Sequence, residues 1–425
     1  MSSNEKLTQT DAEKILTTSF FEYLDSLPNN EKVIEKRRQA FGLLEKNGLP
    51  SRTIESWHYT DLRVLLKNLP NFNDSQQKLT TVTLYETDDG EIFHNGTPVD
   101  EANVTGINVS PIADVVAGGQ LPLSNNLRFD DTIGQINTSY FKDGWVIDID
   151  PNATIPQCIN ISNVSKSGQD HARINIRVGT GARCCFIEQH IAEGQTFGTS
   201  VTDLRLDTNA EVTYVIMHAG ANEAINLAQF NAVLNQRAKL KVVLVDLGGR
   251  LMRQEANIDL VGGQSDLKLR GINLLGQNSR SDVTMVVRHL VEDTTSTEIM
   301  RNVVTGQAMG AFQGLIRVAQ QAQKTDAKMV CNSLILSDNS EYNAKPELEI
   351  FADDVACGHG ATVAEINEDN LFYLKARGIA EPVARGMLIK AFVAELIDEE
   401  KNESVQSFLD QSIENWLKTH IWGVQ

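Results

Sequence analysis

A cysteine and a histidine stand two residues apart in Cys357-Gly358-His359-Gly360, each followed by glycine. Thiolate and imidazole both ligate iron and zinc, and glycine admits a close approach of backbone or ligand. Two ligands cannot complete a four-coordinate centre, so a metal here needs ligands from elsewhere in the fold or from a second protein. The competing local reading is a tight turn carrying a buried thiol and a hydrogen-bonded imidazole. The remaining cysteines, Cys158, Cys184, Cys185 and Cys331, contain no C-x-x-C pair. Cys184 and Cys185 lie in an apolar run, and on a strand they would point to opposite faces as packing residues. Five cysteines, an odd and sparse number, fit a reducing compartment better than a disulfide framework.

Other catalytic signatures are missing from the chain. It has no G-x-x-x-x-G-K-[ST], no G-x-S-x-G, no H-E-x-x-H and no G-x-G-x-x-G opening a helix. We therefore expect no nucleotide bound by this chain. His171, His190, His218 and His289 are scattered through the middle of the sequence, and nothing in it brings them together. Asp353-Asp354 reads as a solvated acidic pair, and His58, between Trp57 and Tyr59, reads as a packing residue.

The elements that must position the thiol and imidazole fall into three zones, expected at residues 1–80, 81–355 and 356–425. The first is helical. Thr10-Asp11-Ala12-Glu13 is a capping box. It opens a segment with Ile15, Leu16, Phe20 and Leu24 on one face, and a second segment carries Val33, Ile34, Phe41 and Leu44 up to Gly48. Residues 70–110 are rich in Asn, Asp, Gln and Thr. Strand-like runs of β-branched and aliphatic residues follow, to about residue 350.

Within those runs ARCCFI, AEVTYV, AKLKVV and SDLKLR align on Arg183, Glu211, Lys239 and Asp266, in steps of 28, 28 and 27 residues. A constant step of this size marks a stacked repeat whose coils bury their apolar faces on one another. A β-sandwich of short strands is the rival. After Cys357 the pattern turns helical again. Asn367 caps a helix that Gly378 stops. Pro382 opens a second, with Leu388, Phe392 and Leu396 on one side and Met387 and Ala391 beside them. Asn402 or Ser404 caps a third, with Val405, Phe408, Leu409, Ile413, Trp416 and Leu417 apolar.

The charge, 38 basic against 56 acidic residues for a net −18, argues against nucleic acid or an anionic membrane as the main partner. The polar opening MSSNEKLTQTDAEK has neither a secretory nor a transit-peptide pattern. No run approaches the roughly 18 apolar residues of a membrane span. These features lead us to expect a cytoplasmic protein.

From Phe312 onward the sequence resembles the SufB/SufD family of iron–sulfur cluster assembly proteins. The resemblance rests on KPELEI, ADDV, C-x-HGATV, LFYL and RGI. At the other end SRTIESWHYTDL is similar to the P-x-R-x-E-x-W-[KR]-YT-x-L segment of the SufD branch. Gly358 stands where Ser is usual and Ala364 where Gly is common.

The resemblance implies a mainly β fold, a right-handed parallel β-helix between N- and C-terminal α-helical regions. It further implies a non-catalytic scaffold subunit that pairs with SufB and binds the SufC ATPase through its C-terminal helices. We take Leu371, Phe372, Met387, Leu388 and Phe392 as the docking residues. A nascent cluster would be shared across the SufB interface, with His359 and Cys357 as its ligands from this side. The resemblance leaves open a flavin in the complex and a homodimer of the chain alone. The alternatives are a purely structural partner of SufB and SufC, and a β-helix carbohydrate-active enzyme.

Overall fold

The computed structural model describes residues 9–72, 80–86, 90–98, 104–120 and 130–422. Parts of the Asn- and Gln-rich stretch, 73–79 and 99–103 among them, lie outside the described residues.

Sixteen strands build a two-sheet solenoid of eight coils. In chain order they are β1 (Asp143–Ile149), β2 (Thr154–Ser165), β3 (Gly168–Val178), β4 (Arg183–Ala192), β5 (Thr196–Leu206), β6 (Glu211–Gly220), β7 (Ile225–Leu234) and β8 (Lys239–Asp246). There follow β9 (Leu251–Leu260), β10 (Asp266–Leu275), β11 (Arg280–His289), β12 (Thr295–Val304), β13 (Met309–Val318), β14 (Asp326–Ile335), β15 (Glu341–Ile350) and β16 (Ala356–Ala364). Odd strands form one parallel sheet and even strands the other.

The repeat read from the sequence is the register itself. Arg183 pairs with Glu211, Glu211 with Lys239, and Lys239 with Asp266. The same position continues through Thr295, Asp326 and Ala356, in longer steps of 29, 31 and 30 residues. One turn of each of the first seven coils is held by a residue at positive φ: Asn152, Gly181, Asn209, Arg237, Gln264, Asp293 and Lys324. Side chains other than glycine or asparagine enter this region at a cost, and turn-to-turn hydrogen bonds support them here, as from Asn209 N–H to the Gln236 carbonyl and from Arg237 N–H to the Gly263 carbonyl.

Inward side chains of both sheets form a continuous apolar core from Val82 and Trp145 at one end to Tyr342 at the other. Each sheet is covered on its outer face by helices. The N-terminal helices α1 (Asp11–Tyr23) and α2 (Glu31–Asn47), with α3 (Thr132–Tyr140), pack on Phe197, Val201, Ile225 and Leu227 of the odd sheet. The capping box at Thr10 forms with both of its hydrogen bonds. Every residue of α3 is buried, the polar Gln135, Asn137 and Ser139 as well as the apolar Ile133, Ile136 and Tyr140, and Asp131 caps its first turn. The buried Arg37 guanidinium donates to the Thr138, Ser139 and Phe141 carbonyls at the end of α3.

The C-terminal helices α4 (Glu368–Ala376), α5 (Glu381–Asp398) and α6 (Glu403–His420) cover the even sheet through Val215, Val243, Ile272 and Val303. Asn367 and Asn402 cap α4 and α6. Arg301–Glu395 and Arg270–Glu399, at 2.6 and 2.7 Å, fasten α5 to the solenoid. Among the described residues no helix is long and apolar enough to cross a membrane.

Candidate functional site on the terminal strand

The Cys357–His359 segment is extended strand, not the tight turn of the local reading, and it completes the solenoid rather than opening the helical region. β16 pairs in parallel with β14 on one side, Cys357 beside Ala327, Gly358 beside Lys328 and His359 beside Met329. Its other side is the edge of the sheet, and β15 is the edge of the second sheet.

Alternation along the strand puts Cys357 and His359 on one face and Gly358 on the other. Their face is the inward one, since Ala327 and Met329 belong to the core. In the column that ends at His359, Tyr214, Val242, Leu269, Glu298 and Met329 are all buried, coil after coil. His359 is exposed and Cys357 half-buried, because at an edge strand that column loses its cover. Neither Gly358 nor Gly360 has a left-handed φ, and a Cβ on either meets no atom within 4 Å. The chain's own packing therefore does not require glycine at either position.

Cys357 is the one cysteine not fully buried. Partial burial, with the carboxylates Asp326 and Glu298, raises its thiol above the usual range, while a backbone hydrogen bond at Ala327 works the other way. A metal would take the thiolate by displacing that proton. One coil inward Cys331 is buried and pushed up to about 11, and Cys184 in the core to about 12. Cys185 and Cys158 are sealed under the C-terminal helices. No described residue hydrogen-bonds the His359 ring, so its nitrogens remain available. Two residues of strand span about 7 Å, which lets an i, i+2 pair on one face converge on one ion or cluster. Among the described residues no group of three or more His, Cys, Asp or Glu could hold a metal. A metal or cluster held by Cys357 and His359 would need further ligands from beyond this pair.

The expected docking residues separate in the structure. Leu371 is buried and Leu388 and Phe392 pack against the even sheet, while Phe372 (72% exposed) and Met387 face outward beside Tyr373 and Val383. The buried face of α5 runs through Ile389, Val393 and Leu396, rotated from the stripe read in the sequence. His58 is exposed, with its ring edge-on to Tyr59, so the packing residue of this segment is not His58 but its neighbour Trp57. His190 and His218 do meet, stacked at 4.9 Å inside the solenoid, while His171 and His289 are buried apart from them.

A domain profile described as "SUF system FeS cluster assembly, SufBD core domain" matches residues 160–392. The chain belongs to the SufBD family. Among its relatives, the iron–sulfur cluster assembly protein SufD of Escherichia coli is 31% identical over 246 residues, 56% of each chain. The SufBD family protein slr0076 of Synechocystis is 24% identical over 96% of each chain. The chloroplastic protein ABCI7 of Arabidopsis thaliana is 25% identical over 96% of this chain and 90% of its own. The family match takes in β16 and both candidate ligands, and extends into α5. It thus joins the solenoid's open end to the first two helices of the C-terminal cover.

Proposed function

We propose that this SufBD-family chain is a non-catalytic, SufD-type scaffold subunit that offers Cys357 and His359 to a nascent iron–sulfur cluster shared with SufB. The observation that carries this reading is a reachable thiol and imidazole, on one face of an unpaired edge strand, with no further ligand beside them among the described residues. The cluster is cargo, and a centre split between two proteins opens when the interface opens. Two adjacent free edges, β15 and β16, suit strand addition from a partner. The outward apolar side chains Phe372, Tyr373, Val383 and Met387 suit docking of the SufC ATPase. Because α4 follows β16 after three residues, movement of docked helices would be felt at the site.

The test is iron and acid-labile sulfide in the co-expressed SufB–SufC–SufD-type complex, purified without oxygen, for wild type and His359→Ala. The expected result is an intact complex with severalfold less cluster. An intact complex with unchanged cluster would make the chain a structural partner only. The carbohydrate-enzyme reading finds no support in the family to which the chain belongs.

A further inference from the structure

The segment Ser51–Leu62 lies across the odd sheet, and packing accounts for only some of its side chains. Trp57 is buried with the Arg253 guanidinium 3.8 Å above its ring. Arg253 pairs with Asp282 at 2.6 Å, and the Thr60 hydroxyl donates to the same carboxylate. Glu55 pairs with Lys345 at 2.8 Å. These contacts fasten the segment over β9, β11 and β15.

Arg52, His58 and Tyr59 are left over, and all three line one cavity of about 320 Å³ together with Arg280 of β11. Elsewhere on the sheets arginines are paired, as in Arg173–Asp203, Arg270–Glu399 and Arg288–Asp259. Among the described residues the Arg52 and Arg280 guanidinium groups have no ion-pair partner, although the chain carries 56 acidic residues. The single carboxylate in the lining, Glu341, accepts a hydrogen bond from Asn343 at 2.7 Å. The rest of the wall is mixed, with Thr60 and Ser281 beside the apolar Leu65, Leu251 and Met309.

We infer that this cavity binds a small organic oxyanion, a phosphate or carboxylate group on a partly apolar body. Guanidinium groups are the side chains best matched to such oxyanions. An unpaired cationic pair in an acidic protein leaves the anion's place open. The Tyr59 ring, Leu251 and Met309 provide a surface for the apolar part, and the volume lies in the range of small-molecule pockets. The site is independent of the cluster reading, since it shares no residue with Cys357 and His359.

The experiment is calorimetric titration of the full chain at low salt with pyrophosphate and, separately, with citrate. Saturable binding of either is expected, and which one binds names the oxyanion. Arg52→Ala and Arg280→Gln should each weaken it about tenfold, and added salt should weaken it further. Arg317→Ala, outside the cavity, should leave it unchanged. Neither cavity arginine belongs to the core, and an unaltered thermal melt verifies that each variant folds. Absence of saturable binding for both anions overturns the inference. So does an equal loss in Arg317→Ala, which would mean diffuse surface attraction.

Discussion

The two ends of the solenoid are finished differently. At the first coil, an antiparallel strand, Ile107–Pro111, covers the edge of β1, and another, Thr80–Glu86, covers the edge of β2 and carries the even sheet on into Gly90–His94. Val82, Leu84 and Ile107 complete the core there, and Trp145 of β1 is fully buried. At the last coil β15 and β16 end both sheets without a further strand. Inward positions that are buried in other coils become the exposed His359 and Val363. An unprotected sheet edge is a hazard that proteins normally blunt. On the function proposed above, the open end is the one with work outside the chain, and it carries the thiol and imidazole.

The contrast can be broken first where burial is deepest. Trp145→Ala should cost roughly 3–5 kcal/mol, read as a lowered denaturation midpoint. A loss no larger than that of an exposed substitution would show that the capped end is not sealed.

Two coils inside the open end the burial is still complete. The Glu298 carboxyl, without a well-formed hydrogen bond, is pushed up to about 8 by burial, only partly offset by Ser296 and the Arg270 charge. Asp170 and Asp246 are raised to about 6 in the same way. A carboxyl raised on folding gives stability that is present below its unfolded value and lost as pH rises through the folded one. Stability should therefore fall from pH 4 toward pH 8 on this account. Burial lowers His171 to about 3 and His289 to about 4, which removes stability in the opposite direction, as pH falls below 6.5. Glu298→Gln should raise the melting temperature at pH 9, where the buried carboxylate is charged, by the equivalent of about a few kcal/mol, and change it little at pH 5. An equal effect at both pH values would mean that the carboxyl is in contact with solvent.

At the open edge itself, Val363→Lys should change the stability of the isolated chain by no more than about 0.5 kcal/mol, yet abolish co-purification with a strand-adding partner. Co-purification at wild-type yield would remove the edge from the interface. The smallest effect is expected for Gly358→Ala, whose new Cβ meets nothing in this chain. Its melting curve should match wild type, and a clear destabilisation would mean that the strand has a neighbour on that face.

Much of the solenoid is legible in the sequence because stacking imposes a period on the residues. The same position recurs every coil, so Arg183, Glu211, Lys239 and Asp266 align by spacing alone, and they prove to be register partners. Beyond Asp266 the steps lengthen, and the period no longer reaches Ala356. Without it Cys357 and His359 read locally as a turn, whereas extending the register puts both on the inward face. α3 is not among the helices expected from the sequence, and its polar residues are buried along with its apolar ones. Leu371 and Phe372 adjoin in sequence, yet one is core and the other exposed, a distinction that depends on the angle at which α4 meets the sheet.

The sequence by itself determined the repeat, the helical flanks, the caps at Thr10 and Asn367, and the presence of a thiol–imidazole pair too small to close a metal site alone. These are local or periodic properties, written in residue type and spacing. Only the tertiary structure decided that the pair lies on an unpaired edge, that four of the five cysteines are sealed away, and that Arg52 and Arg280 face one cavity without partners. Each of those depends on which distant segments come to lie beside a residue, and burial and pairing are settled by neighbours far apart in the chain.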